Sequence, residues 1–259
     1  VRVSALKVAA VVLLAGAAPA LAQDVAGHLE AGDAARCRRN AEEALMHYRE
    51  ALALDSLSYD ANWKASQALT DLGKQLPNNQ AAHRDSLYAE AIAFAQRAVR
   101  VNSNGADGHY MVAVATGRAA LTKGPRERVR FAGVVREEAL RATELNPRHD
   151  GALHVLGRWN AEIERLPGLT KFFAKTFLGA SIFNQASWEN SENFFHQAIE
   201  LNTQNIYHHL DLAEALSDQD KKIAAIEQLQ LVAQLPLGCD PMDETYKSQA
   251  AALLQRLSR

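Results

Sequence analysis

Apolar residues recur along most of this chain at three- and four-residue spacings, the mark of helices with one buried face. Four stretches share a phrase: "ALMHYREALALDS", "AIAFAQRAVRVNS", "EEALRATELNP" and "FFHQAIELNT" each set apolar and small residues on one stripe and end in a short polar turn. Each is followed by a second helical stretch with small residues at a matched offset, "YDANWKASQAL", "GADGHYMVAVATG", "HDGALHVLGRW" and "NIYHHLDLAEAL". No strand-like alternation competes with these patterns. Helix pairs of about 34 residues, with small residues where the two helices approach, follow the tetratricopeptide pattern. The expected fold is an all-α, tetratricopeptide-like, right-handed helical repeat solenoid of about five pairs, because such units bury their apolar faces only by stacking. Residues 243–257 read as a closing helix.

The pairs (a first helix A, then a helix B) are assigned from small and aromatic positions. Gly32 takes the close-packing position of the first helix A, and Ala44, Tyr48 and Ala51 form the facing stripe of helix B. Trp63, Ala65 and Ser66 face Ala91, Ala95 and Ala98 in the second unit, and Leu156 and Gly157 face Phe195 and Ala198 in the fourth. The middle units carry long insertions between their two helices, and Pro77, Pro125 and Pro167 each interrupt a helix there, since proline lacks the amide donor and clashes with the preceding turn. In the fourth unit, the insertion "RLPGLTKFFAKTFLGASIFNQAS" reads as an amphipathic helix over residues 169–183, carrying Phe172, Phe173, Phe177 and Phe183. As a pattern it fits core, cavity wall or lid.

Composition changes this picture little. The chain has 259 residues, 48% of them hydrophobic, and a net charge of -2, without the basic excess that nucleic-acid binding draws on. The opening "VRVSALKVAAVVLLAGAAPALAQ" does change it: Arg2 and Lys7 flank an apolar run, and Ala20-Leu21-Ala22 is a small-x-small cleavage site. The expectation is a signal peptide over residues 1–22, cleavage near Gln23, a single repeat domain over 23–259, no stable membrane span after cleavage, and residence in the periplasm or outside the cell. Cys37 and Cys239 stand near opposite ends and are read as unpaired, although export permits a bond.

The runs "ANWKASQAL", "HYMVAVATGRAA", "REEALRATELNPRHDGALHVLGRW" and "LPGLTKFFAKTFLG" resemble the regulator of microtubule dynamics family, over roughly residues 40–257. That resemblance implies a tetratricopeptide-like domain that binds partners. It also brings the precedent of a eukaryotic member credited with carrying phospholipid between membranes. An exported, bacterial-looking chain does not inherit the microtubule role, and fold transfers further than function.

The sequence holds no H-E-x-x-H, G-x-S-x-G, Cys-x-x-Cys or glycine-rich phosphate loop. His208 and His209 are neighbours whose side chains point about 100° apart on a helix, which converges poorly on a metal. The reading is therefore non-enzymatic, with no cofactor and no metal. Helix A of each unit lines the concave surface, which offers Trp63, Gln67, Tyr110, Arg118, His154, Arg158, Tyr207 and Glu214 as groove candidates. Arg118 and Arg158 suit a carboxylate or phosphate. Trp63 and Tyr110 also suit packing between units. The function expected is an adaptor holding a peptide or protein segment, with a carrier for a phospholipid or other apolar ligand as the alternative.

Overall fold

The structure, a computed structural model, describes residues 6–167 and 181–259. Helices α1 (Leu6–Cys37) and α2 (Ala41–Leu54) form the first pair, α3 (Tyr59–Gln75) and α4 (Ala81–Val101) the second, and α5 (Ala106–Ala120) and α6 (Pro125–Leu145) the third. The fourth pair is α7 (Asp150–Arg165) and α8 (Trp188–Leu201), and the fifth is α9 (Ile206–Asp218) and α10 (Lys222–Gln234), with α11 (Asp243–Leu257) closing the end. No strand occurs among the described residues. The all-α repeat solenoid expected from the sequence is the fold observed.

The repeated polar endings stop each helix B. Asp55, Asn102, Asn146 and Asn202 take the C-cap of α2, α4, α6 and α8, each with its amide on the carbonyl of a buried alanine four residues back. Asp55, Asn102 and Asn146 then accept the amide two residues onward, at 2.9 to 3.1 Å, so the side chain itself shapes the turn into the next unit. Ser58, Ser187 and Asn205 cap the helices that follow a turn or an insertion by accepting amides of the first turn. Within the first and last pairs the turn is short and passes through one left-handed residue, Arg39 at φ 62° and Asp220 at φ 60°. Pro125 begins α6, where its missing amide is harmless. Pro77 precedes a 3-10 turn (Asn78–Gln80), and Pro167 follows the end of α7.

In three of the five pairs helix A meets helix B where a glycine faces an aromatic ring. Tyr48 lies against Gly32, Tyr88 against Gly73, and Phe195 against Gly157; a methyl group on any of these glycines would stand 2.3 to 2.9 Å from the ring. All three rings are buried, and the ring edge touching backbone fixes how closely each pair approaches. Between units, α3 packs on α5, α5 on α7 and α7 on α9, so the A helices line the inside of the curve. Phe183 is buried in the core with Trp159, ring centroids 6.4 Å apart, while the Trp159 indole N–H donates to the Ala132 carbonyl at 2.8 Å. Phe172, Phe173 and Phe177 lie outside the described residues.

The two ends of the solenoid meet, which corrects the reading of the cysteines as unpaired. Cys37, the last residue of α1, is disulfide-bonded to Cys239 in the segment between α10 and α11, at a sequence separation of 202. Beside the bond, Arg36 Nε lies 3.0 Å from Asp71, and Lys74 Nζ lies 2.7 Å from Asp71 and 3.3 Å from Asp240. Burial opposes charge on Lys74, yet Asp240 and Asp71 outweigh it and raise its pKa. Burial likewise opposes charge on Asp240, and Lys74 with the Met242 amide holds that carboxyl below its ordinary range. Tyr207 of α9 stacks on Tyr246 of α11 at 4.3 Å. The sequence pattern reports each helix face but not the accumulated rotation of five units, and that rotation decides whether the ends touch.

The glycine contacts give a substitution whose sign is diagnostic. Glycine to alanine inside a helix ordinarily stabilises by about 0.5–1 kcal/mol. At Gly73 the added carbon falls 2.3 Å from the Tyr88 ring, and overpacking of that kind costs about 1–3 kcal/mol. Gly73→Ala is therefore expected to lower the urea midpoint. Gly117→Ala, whose added carbon meets only Val135 at 3.6 Å, is expected to leave it unchanged or raise it. Equal midpoints for the two variants would defeat the packing account.

Candidate functional site

The A helices place a continuous set of polar and aromatic side chains along the concave face. Tyr110 on α5 packs against Gly151 and the His149 ring of the next unit, centroids 4.6 Å apart. His154 on α7 stacks on His208 of α9, Nδ1 to Nδ1 at 3.0 Å, and its Nε2 lies 3.2 Å from Asp211. His208 Nε2 in turn lies 3.1 Å from Asp150. Burial is the main force on His154 and lowers its pKa to about 4, keeping the ring neutral. Asp211 loses hydration in the same place, but Arg158 and His154 overcome that and hold it at about 2.

The sequence candidates divide into several environments. Trp63 is part of the packing between the second and third units, half-buried beside Met111 and Val112, with its indole N–H on Asp60 at 3.0 Å. Tyr110 belongs to the same apolar cluster. Gln67 is half-buried on α3. His154 is buried and tied into the histidine–aspartate line. Arg158 is consumed by Asp211 at 2.9 Å. Arg118 differs: its guanidinium donates to the Tyr207 hydroxyl at 3.2 Å, and among the described residues no carboxylate lies within ion-pair distance of it. Arg118 and Arg158 both stand over the Tyr207 ring, at 5.8 and 5.5 Å, so one tyrosine carries two cations on its faces or edges. Phe183 is core, away from this set.

His208 and His209 diverge as helical neighbours must, for His209 turns to Gln228 and the Thr203 carbonyl while His208 turns to His154. Depressions of about 570 and 510 Å³ open on the B helices α6 and α2, away from the groove candidates. Sequence reasoning missed Asp211, Lys74 and Asp240. Each is a charge in a helical or loop pattern whose significance comes only from the neighbour it meets.

The comparisons with known proteins agree with this architecture. The family described as Regulator of microtubule dynamics protein 1-3 matches residues 26–258. Similar curated proteins include Regulator of microtubule dynamics protein 1 of Bos taurus and of Homo sapiens, each 24% identical over 198 residues and 76% of this chain. The chain spans 61% and 62% of the length of those two relatives. Among solved structures, a thermophilic TPR protein of Thermus thermophilus superposes with a TM-score of 0.66 at 16% identity, covering 89% of this chain and 99% of that one. PilF of Pseudomonas aeruginosa superposes at 0.53 and 15% identity, covering 92% and 93%. At such identities the structural likeness speaks for the fold alone.

Glu214, one turn after Asp211 and 4.0 Å from Arg165, gives this face a measurable titration. Burial first and Asp211 second raise its pKa from 4.5 to about 6. A raised folded pKa means the native state binds the proton more tightly than the unfolded chain. The ionised form therefore weakens the fold as pH rises from about 4.5 through about 6. Below that window wild type and Glu214→Gln are both neutral at this position, and their stabilities are expected to converge. Above it Glu214→Gln is expected to be the more stable, by less than about 2 kcal/mol because the carboxyl is partly screened by solvent. Urea midpoints at pH 4 and pH 7 check this, and a gap that does not change with pH would refute it.

Proposed function

The chain belongs to the regulator of microtubule dynamics protein 1-3 family, and on that premise we propose that it is an adaptor whose concave face holds an acidic segment of a protein partner. Its family and its helical repeat fold, with no strand among the described residues, are those of non-catalytic scaffolds. The observation that carries the finer reading is Arg118. It sits on the A-helix surface with a tyrosine hydroxyl to orient it and no carboxylate within ion-pair distance among the described residues. An incoming Asp, Glu or chain-terminal carboxylate supplies the missing charge, and the guanidinium fork receives it through two parallel hydrogen bonds. Arg158 supports the same end of the groove indirectly, since Asp211 fixes it against Tyr207. The described part of the concave face, lined by paired charges and rings, does not favour the apolar-ligand reading.

A random peptide library selected on the immobilised chain tests this. Peptides rich in Asp and Glu are expected, and Arg118→Ala is expected to weaken them by about tenfold to a hundredfold, the worth of one hydrogen bond to a charged group. Far-ultraviolet circular dichroism should be unchanged. Selected peptides without acidic enrichment, or equal affinity for the variant, would remove the proposal.

Export belongs to the same proposal: residues 1–22 act as a leader, and the mature chain works in the periplasm or outside the cell. The charged start, apolar run and Ala20-Leu21-Ala22 support it, and so does the Cys37–Cys239 bond, since disulfides persist in oxidising compartments. Intact mass of protein from its native host, alkylated without reduction, is expected to show a chain starting near Gln23 and no alkylated cysteine. Retention of residues 1–22, or alkylation of both thiols, would contradict it.

A further inference from the structure

The first helix pair carries a side-chain cluster that the concave face does not use. His28 on α1 and His47 on α2 each place Nδ1 3.0 Å from the same atom, Glu50 Oε2. One ligand atom from each residue can be chosen so that all three lie within 4.8 Å of one another. His47 and Glu50 stand three positions apart and so share a face of α2, and the packing of α1 on α2 brings His28 opposite them. The two imidazole rings are 5.9 Å apart.

We infer that His28, His47 and Glu50 form a binding site for a divalent transition-metal ion of the Zn²⁺ class. Two imidazole nitrogens and one carboxylate oxygen are donors suited to Zn²⁺, Co²⁺ or Ni²⁺, and there is no thiolate here to favour a softer ion. With metal–ligand bonds of about 2.0–2.1 Å, neighbouring ligand atoms of a tetrahedral site stand about 3.3 Å apart. Two of the three spacings are already 3.0 Å, so small rotations of the side chains complete the set.

The partners of the three groups point the same way. Among the described residues, Glu50 is the only polar partner of both histidines, and no Lys or Arg pairs with Glu50. Arg49, its neighbour in sequence, is engaged by Glu90 at 2.7 Å. By contrast, His109 and His209 are fixed at both ring nitrogens, each by one side chain and one carbonyl. The side chains of His28, His47 and Glu50 keep 34%, 21% and 44% exposure, enough for an ion to enter and for water to complete its coordination. The depression of about 510 Å³ on α2 opens beside Glu50, between Met46 and Leu72. A metal there ties α1 to α2 across the first unit.

The test uses the full mature chain, free of any affinity tag and stripped with a chelator. Titration calorimetry with ZnCl₂ is expected to show one ion per chain, and Co²⁺ is expected to give visible absorption of a low-coordinate nitrogen–oxygen site. His47→Gln and Glu50→Gln are each expected to weaken Zn²⁺ by about tenfold or more. A second readout needs no variant. In the wild-type chain the ring resonances of His28 and His47 are expected to shift on adding Zn²⁺, with those of His109 and His209 unmoved. Absence of stoichiometric Zn²⁺ binding, or ring shifts at other histidines in place of these two, overturns the inference. So does equal binding by a folded His28→Gln/His47→Gln double variant.

Discussion

A pair of helices has no core of its own, so the separation of its two helices is the quantity on which everything else in this molecule rests. In three of the five pairs a buried ring seated on a backbone methylene sets it: Tyr48 on Gly32, Tyr88 on Gly73 and Phe195 on Gly157. Close approach within each pair leaves the A helices to meet their own kind in neighbouring units, on the inner side of the curve. The concave face therefore inherits its lining from A-helix positions that point away from helix B, which is why its polar residues recur through α3, α5, α7 and α9.

The same curvature carries the last unit back to the first, and the chemistry of that junction is charge balance. Arg36 and Lys74 face Asp71 and Asp240, two cations against two anions, in a place where an unpartnered charge would be strongly unfavourable. Removing one member exposes the others to the full penalty of burial. The set is thus better suited to selecting one arrangement of the ends than to adding stability in its own right. Tyr207 links this junction to the groove, since it stacks on Tyr246 at one side and orders Arg118 and Arg158 at the other.

What the sequence made legible was local. The Asx endings at Asp55, Asn102 and Asn146, the glycine–aromatic pairs and the insertions marked by proline all depend on residues close in the chain or repeated in phase. The site was legible only as a face. Arg118 and Arg158 look alike as A-helix arginines, and only Asp211, brought in from the next unit, separates a carboxylate-paired cation from one with no carboxylate within ion-pair distance among the described residues. Cys37 and Cys239 escaped for a related reason: their meeting depends on the sum of small rotations over the whole solenoid. Two of the three members of the His28–His47–Glu50 cluster are visible in "HYRE" as a same-face pair, but the third comes from another helix.

The Cys37–Cys239 bond also changes the mechanics of the chain. An open solenoid is a spring: pulled at its ends, it lengthens and then unwinds unit by unit. Here residues 38–238 form a covalent loop, and tension entering through α1 passes across the sulfur–sulfur bond directly to the segment before α11. The repeats and the groove they line are bypassed. Only α1 and α11 hang outside the loop and can be peeled away, so a tethered partner could strain both termini while the concave face kept its shape.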